Sequence, residues 1–422
     1  DVTQQTKITE LVVNQMVVER ALSNKAALDQ NVWYMMPSEV INGSVYPYEQ
    51  KNTYKMYYPH LTEFKDKTLP LSVTLTIVDM KKDADGFYLI YTKEQLETFR
   101  NIVNNTLTSD EIKNNYVADS SAKGKLMNNI DLKGDENNQW TPIGNQSQKY
   151  IGTFDGNGHK ISGLYIDSTS NNQGLFGFVD KGGNIKNLGI DGTVKGKNRV
   201  GGIVGYTCGT VSNCYNTGNI SGDSSIGGVV GYGKSACITD CYNIGIISGI
   251  GNSSYIGGVV GWVYEGSRLK NCYNTGNISG IGLFTGGIVG WLGSGESSLE
   301  NCYNTGNVSG MSRYIGGIVG NSKGKIINCY NIGSVSAKSE SDAKYIGGIV
   351  GSNDFFDLTN CYYLKGTANK AVGYGVGTAA EKKVGEFEDG TVLNLLIGSQ
   401  TNHPWDNKCK NLVNEDGKPL LQ

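Results

Sequence analysis

The chain has 422 residues, enough for two or three domains, with 59 glycines, seven prolines and a formal charge of −2. That near-neutral balance offers no polybasic field to nucleic acid or anionic lipid, and no apolar run approaches the ~20 residues of a membrane-spanning helix. Glycine far above its usual share of about 7 %, without matching proline, suits tight corners and argues against collagen or a proline-rich linker.

Residues 1–85 read as a small β-rich or mixed domain. In it, ITELVVNQMVVERALSNKAALDQ (8–30) is a strand followed by a helix, or one helix. YPYEQKNTYKMYYPHL (46–61) is rich in tyrosine, and LPLSVTLTIVDM (69–80) alternates as a strand. The charged KKDADG (81–86) marks the boundary. The chain starts at Asp1 without methionine, as a processed product would, and shows no signal peptide or sorting tail.

Residues 86–124 supply a strand, GFYLI (86–90), and a capping helix. Thr92 followed by Gln95 is a capping-box start, and Leu96, Phe99, Ile102 and Val103 make an apolar stripe. A solenoid must hide the core and the unpaired edge of its first coil, so this helix is read as a lid. Less regular coils then begin at KLMNNIDL (125–132), WTPIG (140–144), YIGTFDGNGHKISGLYI (150–166) and GLFG (174–177). In NIKNLGI (184–190), Leu188 takes the phase that cysteine takes later.

From 201 to 365 one pattern recurs six times: a GG(I/V)VG arm, then an arm such as NCYNTG. The cysteines of the second arm, Cys214, Cys241, Cys272, Cys302, Cys329 and Cys361, are 27, 31, 30, 27 and 32 residues apart. Such a period marks a solenoid. Short runs of Ile, Val, Cys and Tyr between Gly, Asn and Ser corners exclude helical repeats. A propeller blade needs roughly 40 residues, more than a repeat provides, and a sandwich of hairpins is the remaining rival. The expected fold is therefore an all-β solenoid: a parallel, right-handed β-helix over 125–365 with short helical caps. Eight or nine coils advancing by ~4.8 Å would make a rod of about 40 Å. The C-terminal cap spans 366–422, with two short helices in 379–398 broken at Asp389-Gly390 and a strand or hairpin in 405–422.

Together, GLFG, the GG(I/V)VG arms, NCYNTGN(I/V)SG, NNIDL, WTPIG and GTFDGNGHKISGLYI resemble the GLUG-motif repeats of bacterial surface and secreted proteins. The resemblance covers roughly 86–422 and leaves 1–85 outside. It implies a β-helical stalk or adhesin-like module, secreted or attached to the cell surface, with a non-catalytic array. Some members are linked to immunoglobulin-cleaving metallopeptidases.

Catalytic signatures are scarce. His60, His159 and His403 stand in unrelated contexts, and HExxH, G-x-S-x-G and P-loop patterns are absent from the sequence. Asp155, with His159 and Asp167, is the one acidic-plus-imidazole group near a coil corner, where an Asp-Gly turn explains Asp155 more simply. Calcium between corners has no dense acidic repeat to hold it, and no cofactor is implied. The six cysteines at one phase read as a buried ladder of reduced thiols; Cys208 and Cys237 are extra, and Cys237 with Cys241 could pair or ligate.

Two aromatic series stand out. Tyr206, Tyr232, Trp262 and Trp291 follow successive GG(I/V)VG arms and give way to Asn321 and Ser352, so they form a binding rail or an aromatic stack filling a corner. Tyr215, Tyr242, Tyr273, Tyr303, Tyr330 and Tyr362 adjoin the cysteines, and period two turns them outward if cysteine points in. The function expected is a non-catalytic, monomeric surface module that presents its repeats to a glycan or a host or other extracellular protein. The alternatives are a polysaccharide-active β-helix enzyme and the spacer of a larger secreted protease or toxin.

Overall fold

The computed structural model describes residues 80–397 apart from 110–115, 252–253, 295, 339–344 and 355–357, together with four two-residue strands between Trp33 and Leu61. Two compact units divide the chain: residues 1–79 with 92–95, and residues 80–91 with 96–422. In the first, Trp33–Tyr34 pairs antiparallel with His60–Leu61, and Val40–Ile41 with Ser44–Val45. The elements expected at 8–30, 69–79 and 405–422 lie outside the described residues.

The second unit is a parallel β-solenoid. One ladder of eight parallel rungs runs from Phe176–Val179 through the valines of the glycine arms to Val372–Gly375. The other strands of each coil stack in parallel register as well. Ile185, Val211, Ile238, Leu269, Leu299, Ile326 and Leu358 make one such file; Val194, Ile220, Ile247, Ile278, Val308 and Val335 make another. All but Leu358 are buried. A coil alone cannot bury such a row of β-branched side chains, whereas the next coil covers it at every position.

The NCYN arm shows how one motif turns a corner. The residue before each inward-facing Cys or Leu is left-handed: Asn187, Asn213, Asp240, Asn271, Asn301, Asn328 and Asn360 have φ of 50–56°. Asn and Asp tolerate this region better than other side-chain-bearing residues. These corner amides form an outer file in which each Nδ2 donates toward the N-terminus: Asn187 to Asp155, Asn213 to Asn187, Asn271 to Asp240, then Asn301 to Asn271, Asn328 to Asn301 and Asn360 to Asn328, at 2.8–3.2 Å. The cysteine points in, and the tyrosine after it points out. The second asparagine points in again.

Those second asparagines, Asn216, Asn243, Asn274, Asn304 and Asn331, are fully buried. In each of the first four, Nδ2 donates to the next coil's Oδ1 at 2.8 Å. All five also donate to the carbonyl two residues on, at 2.7–2.9 Å. Buried polar atoms are thereby paired where the core would otherwise penalise them. The glycine arm has to make room for this file. A Cβ at Gly258 would collide with the Asn274 carboxamide and the Gly287 carbonyl. One at Gly261 would strike the backbone of Ser225 and Ile226.

Both ends carry helices. α1 (Lys93–Asn104) starts with the Gln95 amide on Thr92 Oγ1, and Leu96, Phe99, Ile102 and Val103 are fully buried. Phe99 packs on Phe154 and Tyr150, and Asn104 fastens the helix end to Pro142 O and the Gly144 amide. After the last coil, Ala380–Lys382 adds as a strand beside Tyr362–Leu364, where helix was expected. α2 (Val384–Glu388) and α3 (Thr391–Ile397) follow, separated at Asp389-Gly390. There Gly390 has φ of 83° and Asp389 Oδ1 accepts from the Thr391 amide.

Candidate binding surface

Tyr206, Tyr232, Trp262 and Trp291 occupy one register position on consecutive rungs. Tyr232 is buried and the other three are half-buried, and none belongs to the contiguous aliphatic core. Tyr206 stacks on Tyr232 at 5.0 Å, Tyr232 meets Trp262 edge-on at 4.9 Å, and Trp262 lies flat on Trp291 at 4.7 Å. The indole Nε1 atoms of Trp262 and Trp291 are shielded from solvent and have no hydrogen-bond partner among the described residues.

The series is longer than the four residues singled out in the sequence. Phe178, which follows GLFG, stacks on Tyr206 at 4.3 Å. A second column rises beside the first: Tyr255, Phe284, Tyr314 and Tyr345, each two residues before a Gly-Gly pair. Its rings lie 5.1–5.8 Å apart. Tyr255 touches both Trp262 and Trp291, at 5.1 and 5.2 Å, so the columns form one surface. Where the first column shrinks to Asn321 and Ser352, the second is aromatic, and Tyr374 closes the band against Tyr345 at 4.8 Å. The aromatic face therefore crosses from one column to the other and does not stop at Asn321.

Cations lie on this face. Lys149 Nζ is 5.0 Å from the Phe178 ring centre, Arg199 is 5.2 Å from Tyr206 and 5.5 Å from Tyr232, and Arg313 is 5.3 Å from Tyr314. Burial, together with the hydrogen bond to Cys208, pushes the Tyr206 phenol well up. Burial alone acts in the same direction on Tyr255. These phenols are neutral, amphipathic stacking groups.

The tyrosine column beside the cysteines also stacks, with centres 4.6–5.1 Å apart from Tyr215 to Tyr330. The column points out of the coils as expected, but its C-terminal half is not the open surface that an outward column would offer. Tyr303, Tyr330 and Tyr362 are 1 %, 2 % and 7 % exposed because Phe387 of α2 and Val392, Leu393 and Leu396 of α3 close over them. The C-terminal helices thus cover the flank of three coils.

Cys214, Cys241, Cys272, Cys302, Cys329 and Cys361 are buried free thiols whose Sγ atoms lie 3.1–3.4 Å from the carbonyl two residues back. Leu188 precedes Cys214 in the same register. Cys237 is exposed while Cys241 points inward, so these two are not brought together. Asp155 receives the Asn157 amide, Asn187 Nδ2 and Lys186 Nζ. Burial opposes its ionisation, but those donors prevail and hold its carboxyl below the usual range. Asp167 pairs with Lys195 at 3.0 Å. Among the described residues, no group of three or more His, Cys, Asp or Glu is placed to hold a metal ion, and no helix is long and apolar enough to cross a membrane.

Residues 252–279 match the GLUG motif. Halomucin of Haloquadratum walsbyi is 38 % identical over 97 residues, covering 21 % of this chain and 1 % of its own. A protein of Evansella cellulosilytica assigned as a Gly-rich membrane protein is 37 % identical over 79 residues, 18 % of this chain and 9 % of its own. The chain thus spans only a small part of the length of these relatives. A Bacteroides ovatus crystal structure, assigned as an immunoglobulin A1 protease, superposes with a TM-score of 0.52 over 81 % of this chain and 94 % of that one. At 21 % identity, that likeness shows a shared fold.

Proposed function

For this GLUG-motif β-solenoid, related to halomucin and to a Gly-rich membrane protein, we propose an extracellular or surface-attached, non-catalytic binding role. Its aromatic band engages a glycan or a host protein. The carrying observation is the position of that band: a continuous series of rings in contact, from Phe178 to Tyr374, lies outside the main buried core cluster. A half-exposed band of aromatic rings repeated at every coil, stacked on one another and turning their outer edges to solvent, offers an amphipathic surface to sugar CH groups or to the side chains of a protein partner. The coil corners favour binding over hydrolysis, since Asp155 is held by three donors and Asp167 by a lysine.

The test compares wild type with Trp262→Ala/Trp291→Ala on a glycan array and in a cell-adhesion assay. Binding is expected to fall about tenfold or more while most of the stability is kept. Unchanged binding, or a collapse of stability comparable with core truncation, would remove the band as the site.

A further inference from the structure

The tyrosine column carries two copies of one platform, and only one is covered. In the C-terminal copy, Tyr303, Tyr330 and Tyr362 present three rings, and Ile332 follows the middle coil's Tyr-Asn. α2 and α3 lay Phe387, Val392, Leu393 and Leu396 across those rings, with Ile332 and Leu364 packed at the edge and Tyr273, the last ring of the preceding coils, in contact with the covered group. In the N-terminal copy, Tyr215, Tyr242 and Tyr273 stack at 4.9 and 4.6 Å, against 5.1 Å between Tyr303 and Tyr330, and Ile244 again follows the middle Tyr-Asn. Here the rings remain half-exposed, while Ile244 is 49 % and its neighbour Ile246 53 % exposed. Ile244, two residues after Tyr242, adds exposed aliphatic surface at the corner that follows these rings, and Ile246 lies just beyond that corner; exposed apolar surface of this kind marks a docking site.

We infer that Tyr215, Tyr242, Tyr273, Ile244 and Ile246 form a docking site for a short amphipathic helix of another protein, carrying an aromatic and several aliphatic side chains on one face. The covered copy supplies the template for that occupant. Three coils of this column accept about two short helices with Phe, Val and Leu anchors, and the open copy continues the same column without a break. A second copy of this chain is the weaker choice, because the apolar face of its α2 and α3 is already spent on its own Tyr303, Tyr330 and Tyr362. This mode is helix recognition by an apolar surface, with anchors at helical spacing. The site is separate from the aromatic band and does not depend on that assignment.

The test uses the full chain and a fluorescein-labelled peptide of residues 384–397, which carries both short helices and the break at Asp389-Gly390, as the stand-in for the partner. Titration should give one bound peptide per chain with micromolar affinity. Ile244→Asp should weaken it about tenfold or more, and Ile246→Lys should do so independently. Both positions are half-exposed, so the variants should keep the circular dichroism and melting of the wild type. A photoreactive group at the Phe387 position of the peptide should crosslink to Tyr242 or its neighbours. Failure to bind overturns the inference, as does binding that neither variant weakens, since the peptide would then only be exchanging with α2 and α3. Sedimentation of the chain alone gives the other decisive outcome: self-association abolished by Ile244→Asp would assign the patch to a second copy and overturn the proposed partner.

Discussion

At the scale of single residues, the two asparagines of NCYN do different work and should fail differently. Asn274 sits in the buried file, donating to Asn304 Oδ1 and Gly276 O. Its replacement by alanine removes the donor to Asn304 Oδ1 and to the Gly276 carbonyl, at about 1–3 kcal/mol each, and takes from Asn243 Nδ2 one of its two acceptors, leaving it Gly245 O. A loss of ~3 kcal/mol in urea unfolding is expected, against almost none for the exposed Thr275→Ala. Asn271 has φ of 56° at the corner. Asn271→Gly should cost about 1 kcal/mol, the net worth of its two partly exposed file hydrogen bonds, whereas Asn271→Val should cost about 1–2 kcal/mol more, because a β-branched residue resists the left-handed region. Reversible denaturant curves on the four variants check both statements.

Among the elements, the cysteine and tyrosine files set a pH limit. Burial pushes the Cys241 and Cys302 thiols and the Tyr242 and Tyr273 phenols up. The folded state therefore keeps protons that the unfolded chain releases. The resulting stability is fully present below the unfolded thiol value near 8.5 and is lost as pH rises above it toward the folded values. Melting temperature should be flat from about pH 6 to 8 and fall steadily above pH 9; a rise in that range would contradict the burial of these groups. A second expectation concerns α2, where Phe387→Ala removes about 3 kcal/mol of packing from the roof over Tyr330. Hydrogen exchange should then accelerate across 384–397 and leave the coils unchanged. The sequence announced these two helices by their break at Asp389-Gly390, yet not their place on the flank. That place depends on the direction in which the chain leaves Ala380–Lys382, the strand added beside Tyr362–Leu364, which no local pattern encodes. The second aromatic column was legible, since Tyr255, Phe284, Tyr314 and Tyr345 each stand two residues before Gly-Gly. The buried asparagines were legible too, because inward cysteine implies that the residue two further on also faces in.

For the whole molecule, repetition made the solenoid the most readable feature, because a period near 30 residues with one phase for Cys, Tyr and Gly permits little else. The lid was readable for the same reason: Leu96, Phe99, Ile102 and Val103 lie on one helix face just ahead of the first coil. Phe99→Ala should cost about 3–5 kcal/mol and, by baring the first coil's edge, promote aggregation during refolding, measurable by light scattering. The two asparagine files have a consequence for how long such a rod can grow. In the inner file the amide nitrogens point toward the C-terminus. In the outer file they point the other way, a sense fixed by Asp155 and Asp240, whose carboxylates can only accept. Aligned amides in one file would accumulate a dipole with every added coil, as a helix does over its length. Two files polarised in opposite senses oppose each other coil by coil, so repeats can be added or removed without charging the ends of the rod.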